Sequence, residues 1–280
     1  ENSRSSVLTP QSPTIKTKSS YKNPNIKLLY GLGRRVIREF DMNSAGLSTI
    51  RAFKLLSPKV ISYLESLPKK ERNIVIGKIR GADKEFGKVF LEKVRQVMVD
   101  FMTENRIDDT DIISINNDAV TVVMNREVQY NREVDNVTFK VAGEFDTFAA
   151  LGNISVFVNS ITRDITIKGI SEDARQSTRQ YLQEILVRWM SRLGSGQPPM
   201  SVLKEILRFR EKLWKHELPV GYYRSMRTGM LSVKDDILPK YSSVFMQNDF
   251  EEPEWHEKLD PTPVNYDILI PLQSLILEAT

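Results

Sequence analysis

The chain contains no cysteine. Disulfides and thiolate metal sites are therefore excluded. It has only two histidines, His216 and His256, far apart in sequence. They argue against a His-based zinc centre or a Ser-His nucleophile. Any metal is expected to be a hard ion on oxygen ligands, Mg²⁺ first and Mn²⁺ second. No apolar run approaches the roughly 20 residues needed to cross a bilayer. The N-terminus lacks the apolar core of a signal peptide. These absences predict an intracellular, cytoplasmic protein without membrane contact. Net charge is also scarce, at +4 over 280 residues.

What is present suits a globular chain with a sizeable core: 40% apolar and 27% charged residues. The charge is uneven. Lys16, Lys18, Lys22, Lys27, Arg34, Arg35 and Arg38 make the start basic, and Lys204, Arg208, Arg210, Lys212, Lys215, Arg224 and Arg227 form a second basic stretch. Asp249, Glu251, Glu252, Glu254, Glu257 and Asp260 form an acidic one. Two basic stretches can cradle a polyanion, or be plain solvated surface.

The segment Asp111 to Val123 organises the rest. Ile112–Ile115 and Ala119–Val123 are β-branched and apolar, and Asn116-Asn117-Asp118 between them is hairpin chemistry. Asp118 is either a turn former or a carboxylate held at the lip of two strands. Val36–Phe40 reads as a strand ending at Asp41, and Asn43 or Ser44 as the cap of a following helix. Lys69 to Arg80 is a basic segment with Ile74, Val75 and Ile79 as its apolar stripe. Phe86, Phe90, Val94, Val97, Met98 and Phe101 recur at helical spacing. Val128–Tyr130, Val137–Val141, Ile154–Val158 and Ile161–Ile167 read as strands. Ser171 caps a helix with Glu172 and Asp173 in its first turn. Gly194 to Pro199 reads as a linker. The end, Val264 to Ala279, has helical spacing, and no internal repeat is present.

The expected fold class is α+β, an antiparallel sheet with packed helices followed by a mainly helical unit. The expected boundaries are a flexible basic tail over 1–24, an α+β domain over 25–193 and a helical domain over 194–280. The tail is a candidate contact for a protein partner.

Several segments, in order, resemble the palm and thumb of family B DNA polymerases. Asp41 to Ile50 is similar to that family's first catalytic motif, D-x-x-S-L-Y-P-S-I. Lys69 to Gly77, KKERNIVIG, matches K-x-x-x-N-S-x-Y-G in its Lys, Asn and Gly. Asn117 to Val123 resembles the D-T-D-S hairpin, with Asp118 at the second acid. Phe139-Lys140 lies where the family has a Lys-bearing strand. Lys168-Gly169-Ile170 with Arg175 is similar to K-G-[I/L]-x-x-x-R. Asn265 to Pro271 resembles the thumb's Y-Y-I-x-x-x-I-x-P helix.

The resemblance implies a template-directed nucleotidyltransferase acting on nucleic acid, DNA rather than RNA. Asp41 and Asp118 would hold Mg²⁺ ions about 3.5–4 Å apart. Lys69 would meet the triphosphate, Asn73 and Gly77 the nascent pair, and Lys140, Lys168 and Arg175 the strand phosphates. The sequence also departs from the pattern. Gly46 and Leu47 replace the Tyr of the first motif, Ile76 replaces the Tyr of the second, and Asn116 stands where the first hairpin acid would be. The region corresponding to fingers, about 57–81, is very short. Such a core suits a virus. The alternatives are a catalytically inactive palm descendant that binds nucleic acid or acts as an architectural subunit, and an interaction protein with no nucleic-acid role.

Overall fold

A computed structural model describes residues 15–234 and 258–280. The acidic stretch around residue 250 and the tail before Ile15 lie outside the described residues. The chain divides into two compact units, one from residues 1–23 and 37–143, the other from 24–36 and 144–280. Both combine antiparallel strand pairs with packed helices, so the fold is α+β.

The first unit contains β1 (Ser20–Lys22), most of β3 (Arg35–Met42), β4 (Ile112–Asn116), β5 (Ala119–Asn125), β6 (Glu133–Val134) and the first half of β7 (Val137–Leu151). The strand order is β1-β4-β5-β3-β7, with β6 pairing beside β7. Its helices are α1 (Ala45–Ala52), α2 (Pro58–Ser66), α3 (Lys69–Ala82) and α4 (Lys84–Glu104). Period-two alternation sends Phe40 and Met42 into the core and leaves Asp41, between them, on the opposite face. The helical stripe of α4 buries Phe90, Val94, Val97, Met98 and Phe101 as its spacing predicts. Phe101 stacks on Phe139 at 3.9 Å between ring centres. Asp83 caps α4 by accepting from the Phe86 amide at 2.9 Å.

Several sequence expectations are corrected here. Residues 15–23 are folded rather than part of a tail. Ser20, Tyr21 and Lys22 pair with Asn116, Ile115 and Ser114, which gives the β4 edge its backbone partners. Val128–Tyr130 is not a strand. The Arg126 carbonyl there takes the Arg38 guanidinium at 3.0 Å, and Tyr130 packs its ring edge on Phe40. Ser44 precedes α1 in the left-handed region, φ 49°, so its side chain does not cap the helix. On α3 the buried position is Ile76, whereas Ile74 is half exposed.

The second unit contains β2 (Leu28–Leu29), the remainder of β7, β8 (Ile154–Asn159) and β9 (Ile165–Lys168), with Leu28 opposite Ala149, Phe148 opposite Phe157 and Phe157 opposite Thr166. Its helices are α5 (Glu172–Ser177), α6 (Glu184–Gly194), α7 (Pro199–Trp214) and the terminal helix Ile270–Glu278. Ser171 caps α5 through the Ala174 amide at 3.1 Å, as expected. Gly194 ends α6 inside this unit, and the turn at 195–196 joins α6 to α7 rather than starting a new domain. Trp189 and Met190 of α6, Ile206 and Phe209 of α7, and Val156 of β8 share one core. The unit boundary falls at Gly143, inside β7. The sequence there has no proline to stop the strand, and the glycine is carried within it. Among the described residues, no helix is long and apolar enough to cross a membrane.

Candidate functional site

The β4–β5 hairpin turns through Asn117 and Asp118. Asn117 adopts a left-handed φ of 45°. Asn tolerates that region better than most residues. The Asn117 amide donates to the Ser19 carbonyl at 2.7 Å, so the chain leading into β1 clamps the turn from outside. On the other side the Met42 amide donates to the Asp118 carbonyl at 2.9 Å. That bond sets Asp41 beside Asp118, although the two are remote in sequence.

Asp41 and Asp118 line one cavity of about 470 Å³. Burial pushes the Asp118 carboxyl above its ordinary value, the Asp118 backbone amide pulls it back, and the Asp41 charge adds to the rise. Two carboxylates facing one cavity make a place that attracts a cation. The Lys140 ammonium supplies one: its Nζ lies 3.1 Å from Asp41 Oδ2.

The facing wall is α3. Lys69, Asn73, Ile76, Gly77 and Arg80 all line the cavity. At 100° per residue these five positions fall within an arc of about 100°, one face of the helix. Ile76 packs toward α1, where a Cβ on Gly46 would come within 3.2 Å of Ile76 Cδ1. Two of the positions that depart from the motif pattern, Gly46 and Ile76, thus meet each other. A Cβ on Gly77 would meet nothing within 4 Å, so that glycine faces open space. Phe90, Leu91 and Val94 of α4 complete the wall.

Of the residues singled out from sequence, Asp41, Asp118, Lys69, Asn73 and Gly77 come together here, with Lys140 on Asp41. Lys168 and Arg175 belong to the second unit. Lys168 lies over the Phe157 ring at 5.4 Å, and Arg175 pairs with Glu172 at 2.7 Å. Sequence reasoning missed Arg80. The signal was available, because Arg80 repeats the helical face of Lys69 and Asn73.

Two carboxylates are few for a metal centre. Among the described residues no group of three His, Asp or Glu side chains is placed to hold an ion. The pair still fits Mg²⁺, which takes one or two protein carboxylates and fills its octahedron with water and substrate phosphate oxygens. Asp41 and Asp118 are the residues that would hold it.

Among solved structures, the family B DNA polymerase from the hyperthermophilic archaeon Pyrobaculum calidifontis is similar, with a TM-score of 0.49 and 14% identity. The match covers 92% of this chain and 46% of that one, so the chain spans about half that polymerase's length. No curated protein matches the sequence. Residues 12–241 match the family described as bacteriophage PBS1 gene 130 protein. That match takes in both cavity acids and all of α3, and over the greater part of its length the chain belongs to the bacteriophage PBS1 gene 130 protein family.

Proposed function

We propose that this cavity is a Mg²⁺-dependent nucleotidyl-transfer site that extends a nucleic-acid primer on a template, with DNA as the substrate class. The observation that carries the reading is the convergence of Asp41 and Asp118, fixed by the Met42–Asp118 backbone bond, on a cavity faced by Lys69, Asn73 and Gly77. When bound, Mg²⁺ would neutralise phosphate charge and lower the pKa of an attacking hydroxyl. Asp41 and Asp118 would hold it. Lys69, exposed and outside any ion pair among the described residues, meets phosphate as a point charge. Gly77 leaves room for a flat group against the helix backbone. Membership of a family named for a bacteriophage protein fits a viral role in a host cytoplasm.

The test is primer extension with Mg²⁺ or Mn²⁺, wild type beside Asp118→Asn, with filter binding on the same DNA. Extension by wild type and loss of at least about 100-fold in the variant is expected. Equal extension by both would remove Asp118 from the chemistry.

One observation favours a second reading. The Lys140–Asp41 ion pair occupies the oxygen a metal would need. A permanent Lys in that role leaves a nucleic-acid-binding palm descendant without turnover. That protein would bind DNA with a steep salt dependence and extend nothing.

A further inference from the structure

Arg80 has an unusual environment for a surface-helix arginine. It lies three turns along α3 from Lys69, about 16 Å by helical rise, on the same cavity face. Its guanidinium centre sits 4.9 Å from the Phe90 ring centre, so one face of the plane is covered. Its Nε is buried and has no hydrogen-bond partner among the described residues. Among them Arg80 also joins no ion pair. Stacking on Phe90 explains where the plane lies. It does not explain a buried in-plane donor left unmatched, because cation–π attraction works through the ring face. The Nε itself, like that of Arg72, is shielded from an incoming oxygen, so the terminal nitrogens of the fork are what a phosphate in the cavity would meet. The neighbouring helix positions are open: a Cβ on Gly77 or Gly81 would meet nothing within 4 Å. No side chain at those positions blocks an approach to Arg80.

We infer that Arg80 is a phosphate-binding residue of this cavity, held by Phe90 and directed at a phosphate of the bound ligand. It rests on the proposed reading of the cavity as a phosphate site, but not on turnover there. A rigid fork suits phosphate oxygens bidentately, which a lysine cannot reproduce. Two basic residues set about 16 Å apart by helical rise on one helix face accommodate either of two sources. One is a nucleoside triphosphate lying along α3. The other is the backbone of a nucleic-acid strand.

The experiment measures equilibrium binding of two probes in Mg²⁺, a fluorescent deoxynucleoside triphosphate and a fluorescein-labelled single-stranded 20-mer, to wild type, Arg80→Lys, Arg80→Met and Asp118→Asn. Arg80→Met is expected to weaken one or both probes at least about tenfold, and Arg80→Lys about fivefold, since charge alone is insufficient. A loss confined to the triphosphate assigns the nucleotide, and a loss confined to the 20-mer assigns the strand. Wild-type affinity for both probes in both variants overturns the inference. If Arg80→Met does not fold, Arg80→Lys decides alone, and wild-type binding by it overturns the inference equally. The two readings fail separately. Absence of primer extension by wild type leaves these binding differences intact, while an unchanged Arg80 variant leaves the Asp118→Asn extension defect intact.

Discussion

The Met42 amide donates to the Asp118 carbonyl at 2.9 Å, and this one backbone bond sets Asp41 and Asp118 at the same cavity. Because it uses the Asp118 main chain, Asp118→Asn keeps it. The substitution therefore isolates the carboxylate charge. The Asp118 carboxyl is raised by burial first and by Asp41 as well. The folded state then holds its proton more tightly than the unfolded chain does. Stability from this group is present at pH below the ordinary aspartate range and is lost as pH rises through the raised folded value. Asp118→Asn should thus be more stable than wild type at about pH 8, with the gap closing toward about pH 4. Paired urea melts along that pH range check it, and a gap that stays constant or widens on acidification would sink the assignment.

Two glycines on adjoining helices should respond oppositely to alanine. At Gly77 a Cβ meets nothing within 4 Å, so Gly77→Ala gains helix propensity and should stabilise by up to about 1 kcal/mol. At Gly87 a Cβ would stand 2.9 Å from the Arg80 carbonyl oxygen, where α3 and α4 approach. Gly87→Ala should destabilise by about 1–3 kcal/mol despite its better propensity. Thermal melts give both signs. If the open space at Gly77 is ligand space, Gly77→Ala also weakens deoxynucleotide binding severalfold while melting higher.

The clamp on the hairpin makes a third prediction. The Asn23 side chain donates to the Ile112 carbonyl at 2.9 Å, joining the segment after β1 to the start of β4. Asn23→Ala should cost about 1 kcal/mol. Amide exchange should accelerate first at Asn117, whose amide bonds to Ser19. Uniform acceleration across β4 and β5 would mean that this segment does not act locally on the turn.

How much of this was legible beforehand follows from the range of each signal. The hairpin at Asp118 and the stripe of α4 were readable because alternation and helical spacing are local patterns. The α3 face was readable in part, since Lys69, Asn73 and Gly77 share it by spacing alone. Residues 15–23 were not readable as structure. Ser20-Tyr21-Lys22 has too few apolar residues to announce a strand, and its order comes from pairing with Ile115 across the sheet. The run of β7 past Val141 was missed because Gly143 suggests a stop, whereas the chain passes through it in the strand. The Lys140–Asp41 pair was invisible for a different reason. Sequence identifies both charges but not that they meet on facing positions.

That pair supplies the last prediction. The Lys140 side chain is 50% exposed and that of Asp41 30% exposed, so the ion pair adds less than about 1 kcal/mol to stability. Lys140→Met should leave the melting temperature nearly unchanged. Its effect should fall on cation binding instead. On the proposed reading the ammonium would compete with a divalent ion for Asp41 Oδ2, and removing it would release a carboxylate already beside the Asp118 charge. Mn²⁺ affinity, followed by loss of the free-ion resonance signal, should tighten roughly fivefold, the equivalent of about 1 kcal/mol of screened charge interaction. If Lys140 instead serves nucleic acid, as a palm descendant without turnover would use it, Mn²⁺ affinity stays at the wild-type value. Oligonucleotide binding then weakens, with a salt slope shallower by about one. The two outcomes separate a metal site guarded by its own lysine from a binding surface in which that lysine is the ligand contact.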